Sequence, residues 1–171
     1  MYFLLLCNQL LLAADVLLKD FHGTYTYVPS DMDRTKIQEG LDRSVAGFNV
    51  LFRPVARHIL EDAAKIPHRV DMQMEPHQIT LTHHRKGDVA TVRGPLDQEF
   101  VGSIRSDLKH TLRWKESRLQ RLDQTDDGGR EVMYRLSRDK KELFIRITMF
   151  SPRLQTPLVY SLRYLRNPSK E

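Results

Sequence analysis

The order of pattern elements along this chain constrains its fold more than any single motif does. A short strand pattern comes first, Phe21-His22-Gly23-Thr24-Tyr25-Thr26-Tyr27-Val28. Two helical patterns follow near residues 31–65, and from His68 the chain reads as strand, turn, strand to its end. Such a meander must bury one face and must dispose of its edges. With so little helix available to cover it, closure into a barrel is the expected solution. The helices would then sit over the mouth. A small capped barrel is a container, so the pattern points to binding before it points to chemistry.

The local signals support this division. Pro29 ends the first strand, because proline cannot donate to a ladder. Ser30 with Asp33 three residues on has the spacing of a capping box, with Asp in place of Glu or Gln. Ile37, Leu41, Val45 and Phe48 then form one helical stripe, broken near Gly47 and Asn49. Leu51, Val55, Ile59 and Ala63 form a second stripe, with Pro54 in its first turn and Pro67 beyond its end. Both stripes are expected to cover something apolar.

From His68 the period changes to two. Val70, Met72 and Met74 alternate with polar residues, as do Ile79, Leu81 and His83. Arg85-Lys86-Gly87-Asp88 and Asp126-Asp127-Gly128-Gly129 are hairpin turns. A short strand is expected around Phe100–Arg105. Leu108, His110, Leu112 and Trp114 form an alternating face, followed by strands through Leu119–Thr125, Glu131–Leu136, Leu143–Ile147 and Leu158–Arg166. The expected fold class is therefore mainly β. It is an antiparallel up-and-down barrel of about ten strands, with a two-helix cap between strands 1 and 2.

The 171 residues suit one domain and can bury a core without disulfides or metals. Residues 1–14 (MYFLLLCNQLLLAA) carry no charged side chain and are too short to span a bilayer as a helix. They are read as a signal peptide, which makes 15–171 the barrel domain and predicts a periplasmic or secreted location. Cys7, the sole cysteine, falls in that segment, so no disulfide or thiolate chemistry is expected downstream. The net charge of +5 would permit anionic partners. However, Arg118, Arg121, Arg130, Arg135 and Arg138 are interleaved with Glu116, Asp123, Asp126, Asp127 and Glu131. These charges are read as a solvated barrel exterior, and nucleic acid is not expected as a partner.

Three segments resemble the calycins, the group of fatty-acid-binding proteins and lipocalins. Phe21-His22-Gly23-Thr24-Tyr25 is similar to the first-strand signature F-x-G-T-W, with Tyr25 in the tryptophan position. Thr80 to Arg93 is similar to the family's hairpin with a K-x-G-D-type turn. Tyr160 to Arg166 resembles the basic and aromatic closing strand. A strand, two helices and nine strands resemble the fatty-acid-binding layout more than the lipocalin one, while the apolar N-terminus resembles a bacterial envelope lipocalin-like protein. The resemblance implies a small hydrophobic or amphipathic ligand held non-covalently inside the barrel. The family's Arg-x-Tyr carboxylate clamp is out of register here. Arg163 and Tyr164 are adjacent and face opposite ways, and Tyr164 and Arg166 have the spacing in reverse.

The candidate lining follows from the alternation. It comprises Tyr25, Met72, Met74, Leu81 and His83 on the early strands, and His110, Leu112, Trp114, Ile145 and Tyr164 on the later ones. Ten strands leave room for a cavity where eight can be filled by side chains. Arg163 and Arg166 are candidates for closing the barrel or anchoring a head group. No cofactor is expected. His83 or His110 would be the ligand in the weaker alternative of haem binding. No metal spacing is present, since His83 and His84 point to opposite faces. Ser103, Ser106, Asp107 and His110 lie close in sequence without marking a nucleophile, so catalysis is not expected. A filled, structural or protein-interaction barrel is the main alternative. The expected partner is a small apolar or amphipathic molecule, with peripheral contact to the envelope as a further expectation.

Overall fold

A computed structural model describes residues 18–101 and 107–168. The segment 1–14 with Cys7, the residues Ser103 and Ser106, and the end of the strand expected at Phe100–Arg105 lie outside the described residues. The elements run β1 (Gly23–Tyr27), α1 (Asp31–Val45), α2 (Arg53–Ala63), β2 (Arg69–Glu75), β3 (Gln78–Arg85), β4 (Asp88–Gly94) and β5 (Glu99–Val101). They continue through β6 (Lys109–Lys115), β7 (Arg118–Thr125), β8 (Gly128–Leu136), β9 (Glu142–Phe150) and β10 (Leu158–Arg166). All ten strands form one sheet in the order β4-β3-β2-β1-β10-β9-β8-β7-β6-β5. Each neighbouring pair is antiparallel, as a meander of hairpins requires.

Closure comes from β1. It pairs with β2 on one side and with the end of β10 on the other, Tyr25 opposite Arg166 and Tyr27 opposite Tyr164. The one gap is the seam between β4 and β5. There Phe100 lies so close to Gly94 that any side chain at that position would collide with its ring. Beside it, the Asp97 amide donates to the Leu112 carbonyl at 2.6 Å.

Interior positions follow the period of two. Tyr25, Val70, Leu81, Leu112, Leu119, Tyr134, Leu143 and Tyr164 are completely buried. They fill much of the lumen, and near the start of β1 Phe21 meets Trp114 edge to face with centroids 5.5 Å apart. Tyr25 takes part in the closure. Its hydroxyl donates to the Phe21 carbonyl at 3.0 Å and accepts from Arg166 at 2.5 Å. The Arg166 guanidinium lies 5.2 Å from the Tyr25 ring centroid and also donates to the Asp20 carbonyl.

Two details of the cap differ from the sequence reading. Ser30 does cap α1, accepting from the Met32 amide at 3.3 Å. Asp33 does not complete a capping box. Its carboxylate accepts from the Tyr27 hydroxyl at 2.7 Å and ties the helix to β1. The second difference concerns α2. The α1 stripe of Ile37, Leu41 and Val45 is buried, but α2 buries none of its residues. Leu51, Val55 and Ile59 face solvent, at 80%, 59% and 62% exposure. The small face Ala56-Leu60-Ala63 turns toward the barrel instead, each residue only half-buried. An i, i+4 spacing finds a stripe on a helix, but it does not say which of two adjacent stripes the neighbours will take.

The contrast is measurable by chemical denaturation. Leu41→Ala removes a packed side chain and should cost about 2–5 kcal/mol. Ile59→Ser touches nothing buried and should change stability by no more than about 0.5 kcal/mol. Equal losses would mean that α2 docks by its large apolar face.

Candidate functional site

The half of the barrel beneath the helices has a different interior. Alternation along β7 sends Leu119, Arg121 and Asp123 inward, and along β8 it sends Arg130, Val132 and Tyr134 inward. β3 adds His83, with Arg85 at its end, and β6 adds His110. Arg121 and Asp123, read from sequence as exterior charges, are 3% and 4% exposed. Their position follows from the strand period, which overrides their polarity because each finds a partner inside.

Asp123 is the centre of this cluster. Its Oδ1 accepts from Arg121 Nε and from His110 Nδ1, both at 2.7 Å. A carboxylate can only accept here, so Nδ1 of His110 carries the proton. Its Oδ2 accepts from Arg121 Nη2 at 2.7 Å and from Arg130 at 3.0 Å and 3.2 Å. Burial alone would raise the pKa of this carboxyl. The His110, Arg121 and Arg130 donors outweigh it and hold the group far below the usual carboxylate range.

The cluster is not neutral. Among the described residues, Arg85, Arg121 and Arg130 share the region with one buried carboxylate, Asp123. Arg85 pairs with Asp88 at the rim, at 3.8 Å, and among the described residues its buried Nε has no hydrogen-bond partner. Burial and the neighbouring Arg130 push the pKa of Arg85 down. His83 is held neutral, well below its ordinary value, first by burial and then by Arg121, Arg130 and Arg85. Its Nε2 lies 3.0 Å from the Tyr134 hydroxyl, within hydrogen-bond distance. Burial raises the Tyr160 phenol to about 12, with Arg130 and Arg85 opposing.

Two spaces adjoin these groups. One is an interior cavity of about 30 Å³ bordered by His83, Arg85, Arg121, Arg130, Tyr160 and Tyr164. That is room for one or two water molecules and too little for a porphyrin beside His83. The other is a mouth cavity of about 490 Å³, between α2 and the rim formed by the β7–β8 turn and the β9–β10 loop. Phe48, Leu60, Leu108, Met149 and Phe150 give it apolar walls, with Asp123, Asp127, Arg130 and Arg153 as its charged groups. Arg130 and Ala63 border both spaces, so Arg130 stands between the mouth and the charged interior.

Among the residues singled out from sequence, His83, Ile145 and Tyr164 come together at the interior cavity, and His110 lies nearby on Asp123. Tyr164 donates to the Pro67 carbonyl at 2.9 Å. Met72, Leu81 and Leu112 are packed core. Trp114 and Met74 pack against that core half-buried, and Tyr25 belongs to the closure. Arg163 points outward and pairs with Glu142, while Arg166 serves the closure. Sequence reasoning missed Arg85, Arg121, Asp123 and Arg130. The signal was available in β7, where Leu119-x-Arg121-x-Asp123 places both charges on the face of a buried leucine.

No protein-family model matches the sequence, and no curated protein matches it. Solved structures do. The chain is similar to apo lipid binding protein 8 of Caenorhabditis elegans, with 10% identity and a TM-score of 0.57, covering 87% of this chain and 96% of that one. It is similar to the REP1-NXSQ fatty acid transporter, with 11% identity and a TM-score of 0.57 over 89% and 99% of the two chains. Human cRBP IV aligns with 16% identity and a TM-score of 0.52 over 85% and 97%. At these identities the likeness is one of fold. The chain has the ten-stranded, helix-capped barrel fold of the fatty-acid-binding-protein type.

Two outcomes follow from the buried cluster. Asp123→Asn leaves buried guanidinium groups without a counter-charge and should cost about 3–5 kcal/mol in urea unfolding. His83 gives a pH signature. Its folded pKa is depressed, so its contribution is fully present above the unfolded value of about 6.5. Below that, the unfolded chain takes up a proton that the native ring refuses, and stability falls by up to about 1.4 kcal/mol per pH unit. Unfolding curves between pH 7 and 5 should show this fall, and His83→Gln should flatten it. An unchanged slope would mean that His83 protonates freely in the fold.

Proposed function

We propose that this barrel binds one small amphipathic anion, with its apolar part in the mouth cavity and its charged head at Arg85 and Arg130. The observation that carries the reading is the charge imbalance under the mouth. Among the described residues, Arg121 and Arg130 share the one buried carboxylate, Asp123, while Arg85 has the exposed Asp88 at 3.8 Å and keeps a buried N–H without an acceptor. Leaving a buried polar group unmade is costly, and an anionic head would supply the missing acceptor. The mouth cavity supplies the rest. Its apolar walls favour a hydrocarbon portion at about 25 cal/mol per Å² removed from water, less the costs of ordering the ligand. The fold neighbours are a lipid binding protein and a fatty acid transporter by name, which agrees with this class of ligand.

The head would therefore be gripped by β3 and β8, not by the closing strand. Tyr160 borders the same space as a neutral phenol and can donate to it, whereas the Tyr164 hydroxyl proton is committed to the Pro67 carbonyl.

Fluorescence titration with a long-chain polyene carboxylate and its methyl ester tests the reading. The carboxylate should bind at least tenfold more tightly than the ester, and Arg85→Gln should remove most of that difference while leaving ester binding unchanged. Failure of both probes to bind would defeat the proposal. Equal binding of both would leave an apolar container without a head-group site.

A further inference from the structure

The outer face of β6–β10 has a charge pattern that the interior site does not explain. Registers place its outward side chains in rows. Lys115 is opposite Arg118 between β6 and β7, Arg135 is opposite Phe144 between β8 and β9, and Phe144 is opposite Arg163 on β10. The adjacent row runs Arg113, Gln120, Met133, Arg146, Ser161 across the same five strands. Six cations thus face outward on this wall. The carboxylates on the same outward faces are Glu131, which accepts from Gln120, and Glu142, which pairs with Arg163. Among the described residues, no ion pair involves Arg113, Lys115, Arg118, Arg135 or Arg146.

This arrangement does not serve the fold. Like charges opposite one another across strands are destabilising, and Lys115 and Arg118 are so placed. Five strands span about 19 Å at about 4.8 Å per step, with rows about 7 Å apart. A depression of about 500 Å³ lies in this wall, bordered by Arg118, Arg135 and Arg146, by Met133 and Phe144, and by Glu131, whose carboxylate accepts from Gln120.

We infer that this wall is a docking surface for an acidic polypeptide segment of a partner protein. The spread of the cations exceeds a single phosphate or carboxylate. An extended chain advancing about 3.4 Å per residue crosses the wall in about six residues and can meet successive guanidinium groups with successive carboxylates. Single-stranded nucleic acid would need open aromatic faces for stacking. Phe144 is half-buried, and the Arg135 guanidinium lies over its ring, 5.0 Å from the centroid. A bilayer is flat where the barrel wall is convex, and the wall's apolar groups, Met133 and Phe144, are half-buried among strands.

Fluorescence anisotropy of a labelled ten-residue peptide of alternating Glu and Ser tests the assignment, using the full chain at low and at physiological salt. The peptide should bind with an affinity that falls steeply with salt. Arg118→Glu combined with Arg135→Glu should weaken it at least tenfold, and Arg146→Glu alone at least threefold. Lys36→Glu combined with Arg93→Glu makes the same change in net charge away from this wall, and should weaken binding less than twofold. All five positions are exposed, so the variants should keep the parent's unfolding transition. An equal loss in the control pair would reduce the effect to net charge and overturn the inference. Tighter, wall-dependent binding of a single-stranded oligonucleotide or of phosphatidylglycerol vesicles would overturn it in favour of those partners, and no peptide binding would end it.

Discussion

The pairing of β1 with β10 is the contact on which the rest of the barrel depends. Without it the ten strands fall into two separate sheets, β4-β3-β2-β1 and β10-β9-β8-β7-β6-β5, and the inward face of every strand is a surface. With it, alternate side chains on ten strands become an interior. The pairing is short, with three residue partners from Tyr25 to Tyr27. It is reinforced by Arg166, which reaches across the joint to the Tyr25 hydroxyl and ring and to the Asp20 carbonyl. The guanidinium fork suits this task because it donates in one plane while its face lies on an aromatic ring. Arg166 is thus unavailable as a ligand anchor, as is Arg163, which its register turns outward. A closing strand committed to closure moves any head-group role to other strands.

Closure also divides the interior. Much of the lumen is filled by tyrosine, leucine and tryptophan side chains, several at zero exposure. Ten strands leave more room than eight, but Tyr25, Tyr134 and Tyr164 are large enough to occupy it. Toward the helices the inward positions become Arg121, Asp123, Arg130, His83 and His110. Their mutual hydrogen bonds make burial tolerable, while the excess of cations prevents full neutralisation. The useful space is accordingly at the mouth, where α2 leaves a gap over the rim and lines it with Ala56, Ile59, Leu60 and Ala63.

Much of the architecture was legible in the sequence because it rests on periods. The switch from period 3.6 to period 2 at His68, Pro29 and Pro67 as stops, and the Gly-containing turns sufficed for ten strands and two helices in order. The candidate site was legible only where polarity and period agreed. His83 and His110 read as inward because their neighbours on the same face are apolar. Arg121 and Asp123 read as exterior because their charge points the other way from the strand period. A strand pattern cannot announce that two charges will satisfy each other inside. The orientation of α2 was hidden for a different reason. Its two adjacent stripes are both apolar, and the choice between them depends on a rim built from residues about 60–90 positions later.

The same two strands carry both unusual charge patterns, and a single physical rule connects them. β7 and β8 send Arg121 and Arg130 inward and Arg118 and Arg135 outward. Because side chains alternate, a slip of one residue would exchange the sets. It would bring Gln120 and Met133 into the lumen and expel the Asp123 carboxylate from its donors. Apolar residues alone specify this register weakly on β7, where half-buried Leu122 sits on the outer face between inward Arg121 and Asp123. The hydrogen bonds of Asp123 to partners on β6, β7 and β8 are what single out one alignment. Once that alignment is set, the placement of the outer arginines follows. Their concentration on one wall is then a property of the sequence at exposed positions, free of any packing requirement. For this reason the outer wall can be altered without disturbing the barrel, whereas the inner cluster cannot.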